Sequence, residues 1–175
     1  MVGKNTLELS YLNYGIPKEC WVYDCYNKTQ AKIGDILYTI EIMHSQGEDR
    51  EDEDFQYIPL DMLISFGDGF LLVFAINDKN SFDLIPKKRE NIIKRKKDEE
   101  FPIILVGNKQ DLDNNREVSY DDAKKLADSW NIEYIETSTV TNFNCKEAFE
   151  HLAVKIYEYK KEKAKKSSSC PCSIY

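Results

Sequence analysis

Asn108, Lys109 and Asp111 follow directly on the apolar run Ile103-Ile104-Leu105-Val106-Gly107. A carboxylate held at the end of a buried strand presents two acceptors side by side, which matches the ring N–H and exocyclic amine of guanine. Adenine lacks that amine and would leave one acceptor unpaired. Losses of this kind give hydrogen-bonding pockets discrimination of ~10⁴ or more. In this reading Asn108 holds the loop or bonds the base edge, and the Lys109 stem lies against the face of the ring. Taken alone, residues 108–111 also fit a polar turn that ends a strand.

Such a loop needs elements to position it, and apolar runs alternating with amphipathic patterns predict a sheet covered by helices. Residues 70–76 and 101–106 are continuous apolar runs, as in strands buried on both faces. Residues 30–33 and 36–42 flank Gly34-Asp35 and read as an antiparallel hairpin, with Ile36, Tyr38, Ile40 and Ile42 on one face. Helices are expected over 4–12, with Leu9 and Leu12 inward, and over 81–96, where Pro86 should kink the chain or displace the first turn. Ser119 and Asp122 open a further helix, 132–135 forms the last strand, and Ala148, Phe149, Leu152, Ala153 and Ile156 mark the buried stripe of the final helix.

Together these stretches resemble the Ras family of small GTP-binding proteins. Residues 69–77 look like that family's fourth strand, Ser81-Phe82 its following helix, Glu136-Thr137-Ser138-Thr139 its second base-contacting loop, and Cys172-Ser173-Ile174-Tyr175 its prenylation box. Val2-Gly3-Lys4-Asn5 looks like the end of its phosphate loop. The resemblance implies a P-loop GTPase-like α/β fold, a mostly parallel sheet flanked by helices on both faces. It also implies GTP or GDP with Mg²⁺ as ligands, and effector or regulator proteins as partners. By that resemblance Ser138 buttresses Asp111, Thr139 offers a backbone N–H, and Val140 packs on guanine where the family has a lysine. The family's first strand, which precedes the phosphate loop, is expected to be missing. That would leave two neighbouring strands unpaired unless they close on one another.

The phosphate side departs from the family. Gly3 and Lys4 remain as phosphate-binding candidates, while Asn5 replaces the metal-binding Ser or Thr and is a weak Mg²⁺ candidate, since that ion demands near-octahedral geometry at ~2.0–2.1 Å. No threonine lies between Thr6 and Thr29 to close the first switch, whose neighbourhood includes Tyr23, Asp24 and Tyr26. At the second switch His44 stands where the family has the Mg²⁺-holding aspartate, Gly47 matches its glycine, and Glu48 falls on its water-orienting glutamine. The expectation is a switch with impaired GTP hydrolysis, or a nucleotide-poor relative that acts through its surface.

The chain has 175 residues and a net charge of −7, which suits one domain and argues against a general nucleic-acid binder. The acidic run from Glu48 to Asp54 reads as a solvated loop. Residues 1–159 are expected to form the nucleotide-binding domain and 160–175 a polybasic, lipidated, flexible tail. Lys160, Lys161, Lys163, Lys165 and Lys166 would add ~1 kcal/mol each near anionic lipid, supplementing a prenyl group on Cys172. Cys170 is a candidate for palmitoylation. These signals place the protein on the cytoplasmic face of the plasma membrane.

Overall fold

The computed structural model describes residues 2–12, 26–45, 60–97 and 101–168. Tyr23, Asp24, Gly47, Glu48, Cys170 and Cys172 lie outside the described residues, and Tyr26 is described in its backbone only.

Helix α1 (Lys4–Tyr11) starts after Gly3, and the antiparallel hairpin β1 (Tyr26–Ile33) and β2 (Ile36–Met43) follows, closed by the Ile33–Ile36 pair around Gly34. Next come α2 (Leu60–Phe66), β3 (Phe70–Ala75), α3 (Lys79–Asp83), α4 (Ile85–Lys96) and β4 (Ile103–Asn108). A 3-10 turn over Gln110–Asn115, then α5 (Tyr120–Ser129), β5 (Glu133–Glu136) and α6 (Cys145–Ser168) complete the order. The fold is α/β: β3, β4 and β5 form a parallel sheet with β4 in the middle, flanked by helices.

All of β4 is buried, so its alternating side chains feed two cores, as its uninterrupted apolar sequence requires. Ile103 and Leu105 join Leu72, Phe74, Ile85, Ile92 and Ala123 on the face covered by α2, α4 and α5. Ile104 and Val106 join Leu7, Val73, Ile135, Phe149 and Leu152 on the face covered by α1 and α6. At ~25 cal/mol per Å² of apolar surface removed from water, these two faces are the main favourable term holding the sheet together.

Pro86 acts as expected. The predicted helix over 81–96 is two helices meeting at Leu84, with the proline in the first turn of α4, where its missing N–H and fixed φ are tolerated. In α1 the expected inward pair gives way. Leu7 and Glu8 are the residues buried, Leu9 and Leu12 only partly so, because Tyr11 stacks on Phe149 of α6 at 4.6 Å and rolls that face inward.

The hairpin and the parallel sheet do not close on one another, sharing no backbone ladder among the described residues. Phe70 and Ile76 donate to Pro102 and Asn108, so by alternation Leu71, Val73 and Ala75 face the other edge. There the Ala75 N–H is satisfied by Ser81 Oγ at 3.1 Å, and no strand lies beside Leu71 and Val73 among the described residues. Side chains span the interval instead: Ile42 of β2 packs in the same core as Leu7 and Val73, and Tyr38 meets Tyr157 of α6 edge-on at 5.9 Å. Residues 160–168, read from sequence as the start of a flexible tail, continue α6 as helix, with Lys160 bonded to Asp68 at 2.6 Å.

Candidate nucleotide site

The carboxyl end of β4 delivers Asn108, 1% exposed, to the meeting point of three segments. Its Nδ2 donates to the Val2 carbonyl at 3.0 Å, and its Oδ1 accepts from Thr137 Oγ1 at 3.1 Å. One amide therefore ties the amino-terminal segment to both loops that follow β4 and β5. Gly3 is required beneath it: φ is +82°, and a Cβ there would stand 2.7 Å from Asn108 Nδ2. Lys109 takes a left-handed turn at φ 67° and leads into the 3-10 turn that carries Asp111. Ser138 Oγ donates to Asp111 Oδ1 at 2.6 Å, which fixes the carboxylate.

The loop after β5 is held as firmly. Gln110 N–H donates to the Thr137 carbonyl at 3.0 Å, Thr137 N–H to Gly107 at 2.9 Å, and Ser138 N–H to Phe143 at 3.0 Å. Thr139 is buried beside Ser138, whereas Val140 projects at the rim, 65% exposed. Behind both loops Arg116 forms a fork on Glu136, at 2.7 and 3.0 Å, and also reaches Asp113 at 2.6 Å. Tyr134 Oη donates to the same Glu136 at 2.8 Å. Hydrogen bonding to Glu136 raises the Arg116 pKa further, so this guanidinium stays charged. Burial, then the Glu136 hydrogen bond, pushes the Tyr134 phenol up. Arg116 and Tyr134 do not stand out in the sequence, and Thr137 does so only as part of the second base-contacting stretch. Their roles depend on contacts across the two loops, which spacing along the chain does not reveal.

The phosphate side is built differently. Lys4 opens α1, Asn5 follows it, and the first turn carries no acidic residue, so the helix amino terminus is compatible with an anion. His44, directly after β2 and read from sequence as filling the aspartate slot, is buried at 7% exposure, and its Nδ1 lies 2.7 Å from Glu8 Oε2. Asn27 Nδ2 donates to the other Glu8 oxygen at 2.8 Å. Both Glu8 oxygens are therefore engaged, one by Asn27 and one by His44. Helix α1 is thereby tied to β1 and to the residue that follows β2.

These residues do not fit Mg²⁺. That ion takes hard oxygen ligands in an octahedron, whereas the aspartate slot holds an imidazole and the neighbouring carboxylate has both oxygens engaged. Among the described residues no three His, Cys, Asp or Glu side chains are grouped to hold a metal. The base-reading half, in contrast, has its carboxylate and amide fixed in place.

A parallel sheet that carries an Asn-Lys-x-Asp loop beside a serine-buttressed partner loop defines a guanine-nucleotide type of site on an α/β fold. The sequence model of the Ras family matches residues 1–158. Ras-like protein RAS2 of Hydra vulgaris is 36% identical over 153 residues, covering 86% of this chain and 77% of its own length. Mouse Ras-related protein R-Ras is 32% identical over 184 residues, covering 99% and 82%. Ras-related protein O-RAL of Diplobatis ommata is 35% identical over 175 residues, covering 95% and 82%. The chain belongs to the Ras family. Proteins of this family are small GTPases that bind GTP and GDP, in general with Mg²⁺, and engage effectors and regulators.

Proposed function

We propose that this chain is a guanine-nucleotide-binding, Ras-like signalling switch whose GTP hydrolysis is impaired, anchored to the cytoplasmic face of the plasma membrane. The observation that carries the nucleotide reading is the Ser138–Asp111 bond, reinforced by Asn108 joining Val2 and Thr137. When bound, a guanine base would supply two donors for the Asp111 carboxylate, Asn108 would keep the loops together, and the Lys109 stem and Val140 would flank the ring. Lys4 and the amino terminus of α1 would face the phosphates. The weak point is turnover: the chemistry of the His44 and Glu8 cluster opposes metal binding where the family relies on it, and Glu48 replaces the water-orienting glutamine.

The same cluster favours a second reading, a nucleotide-poor interaction protein that keeps the outer surface of the fold. One experiment separates the two. Purified protein is denatured and the released small molecules are identified. Stoichiometric GDP or GTP supports the switch, and a pocket that stays empty at millimolar GTP rejects it in favour of the second reading. If nucleotide is found, its loss in EDTA would contradict the reading that the residues around His44 and Glu8 leave no place for Mg²⁺.

Membrane attachment is proposed through a prenyl group on Cys172, assisted by the lysines at 160–166 and a palmitoyl group on Cys170. Cys172→Ser should move a tagged protein from membranes to the cytosol on fractionation, because one basic segment without lipid binds only weakly. Retention on membranes would overturn the anchor.

A further inference from the structure

A cleft of about 370 Å³ opens behind the base-reading loops, between the start of α5, β5 and the start of α6. Its volume is at the low end for ligand pockets, suited to one long side chain. Aromatic rings form much of its wall: Tyr120 and Phe143, 50% and 46% exposed, with Tyr134 beneath, its ring 5.2 Å from that of Tyr120. Neither lysine nor arginine lines it.

The carboxylates on its lining are Glu136 and Glu147. Glu136 is already satisfied by Arg116 and Tyr134. Glu147 is exposed in the first turn of α6 and has no partner among the described residues. His151, also on the lining, has its Nδ1 turned to Glu133 at 2.7 Å. The cleft thus combines exposed aromatic faces with one uncommitted carboxylate.

We propose that this cleft receives an arginine side chain presented by a partner protein. A guanidinium stacks on aromatic faces and can place a two-pronged hydrogen bond on a carboxylate, a combination that the compact lysine ammonium matches less well. Tyr120 and Phe143 hold the plane and Glu147 takes the fork. The cleft lies behind the nucleotide site and adjoins it through Gln110 on its lining and through Phe143, whose carbonyl accepts from the Ser138 N–H. It does not depend on nucleotide being bound.

The test titrates the isotopically labelled full chain with acetyl-Gly-Arg-Gly-amide and with its citrulline and lysine counterparts, following amide chemical shifts. The arginine peptide should move the signals of Tyr120, Phe143 and Glu147 and bind about fivefold or more tighter than the neutral citrulline peptide. Glu147→Gln and Phe143→Ala should each weaken it about fivefold, and Phe143→Tyr should retain it. Equal binding of citrulline, lysine binding as tight as arginine, unchanged affinity in the two weakening variants, or no shifts at millimolar peptide would each overturn the proposal. The citrulline comparison leaves the protein untouched, so it stands whatever the variants do to folding.

Discussion

Ser138 contributes a single hydroxyl to the site, yet that hydroxyl fixes the direction of the Asp111 carboxylate. Hydrogen bonds to charged groups are worth ~1.5–3 kcal/mol, so Ser138→Ala should weaken guanosine diphosphate binding by roughly ten- to a hundredfold, measured with a fluorescent nucleotide. Unchanged affinity would mean that the carboxylate is held by other contacts. Glu8 and His44 offer a test of stability at the same scale. Removing one member of a buried pair leaves a stranded polar group, at a cost of ~3–5 kcal/mol when both groups are charged. His44→Ala should therefore shift the urea midpoint strongly downward, whereas the joint change Glu8→Leu with His44→Phe should recover most of the loss. A small effect of His44→Ala would show that the pair carries little of the fold's stability. Nothing in the local sequence marks Glu8 as buried: it follows Leu7 on a short helix, and its partners, Asn27 and His44, are far along the chain.

At the scale of elements, legibility follows burial on both faces. The run 101–106 reads as a strand buried on both faces, and Ile103 to Val106 do alternate between the two cores, while Pro86 reads as a helix boundary because its ring cannot continue a helix already under way. Ser119 is equally legible, accepting from the Asp122 N–H at 3.0 Å to cap α5. Ser119→Ala should cost ~1 kcal/mol in urea unfolding with an unchanged slope, and no shift would deny the cap any energetic role. Helix α2 was not foreseen. Residues 60–66 bury only Leu63 and Ile64, too sparse a stripe to stand out in the sequence beside the acidic run. The loops of the base site are legible from residue types, whereas the Arg116–Glu136 fork that braces them joins residues 20 apart in the chain and leaves no local signal.

For the molecule as a whole, alkaline pH is the informative perturbation. Burial raises the Tyr134 phenol above its ordinary value of 10.0 and the Cys145 thiol above 9.0, and Tyr11 is raised for the same first cause. In the unfolded chain these groups lose their protons near the ordinary values, so above about pH 9 the folded state binds more protons than the unfolded one and stability falls as pH rises. Below that range they add no pH dependence. Denaturant midpoints taken from about pH 8 to 11 should decline, and Tyr134→Phe should make the decline above about pH 10 shallower. A flat profile would contradict the burial of these groups.

The absence of a shared ladder between β2 and β3 among the described residues makes the hairpin a semi-independent cooperative unit. It is joined to the body by side chains alone in the described segments: Ile42 in the inner core, Tyr38 against Tyr157, and the polar cluster around Glu8. Peeling it away would expose those contacts without rupturing a strand pairing of the parallel sheet. Transient opening of residues 26–43 should therefore require less free energy than global unfolding, and their amide hydrogens should exchange before those of β4.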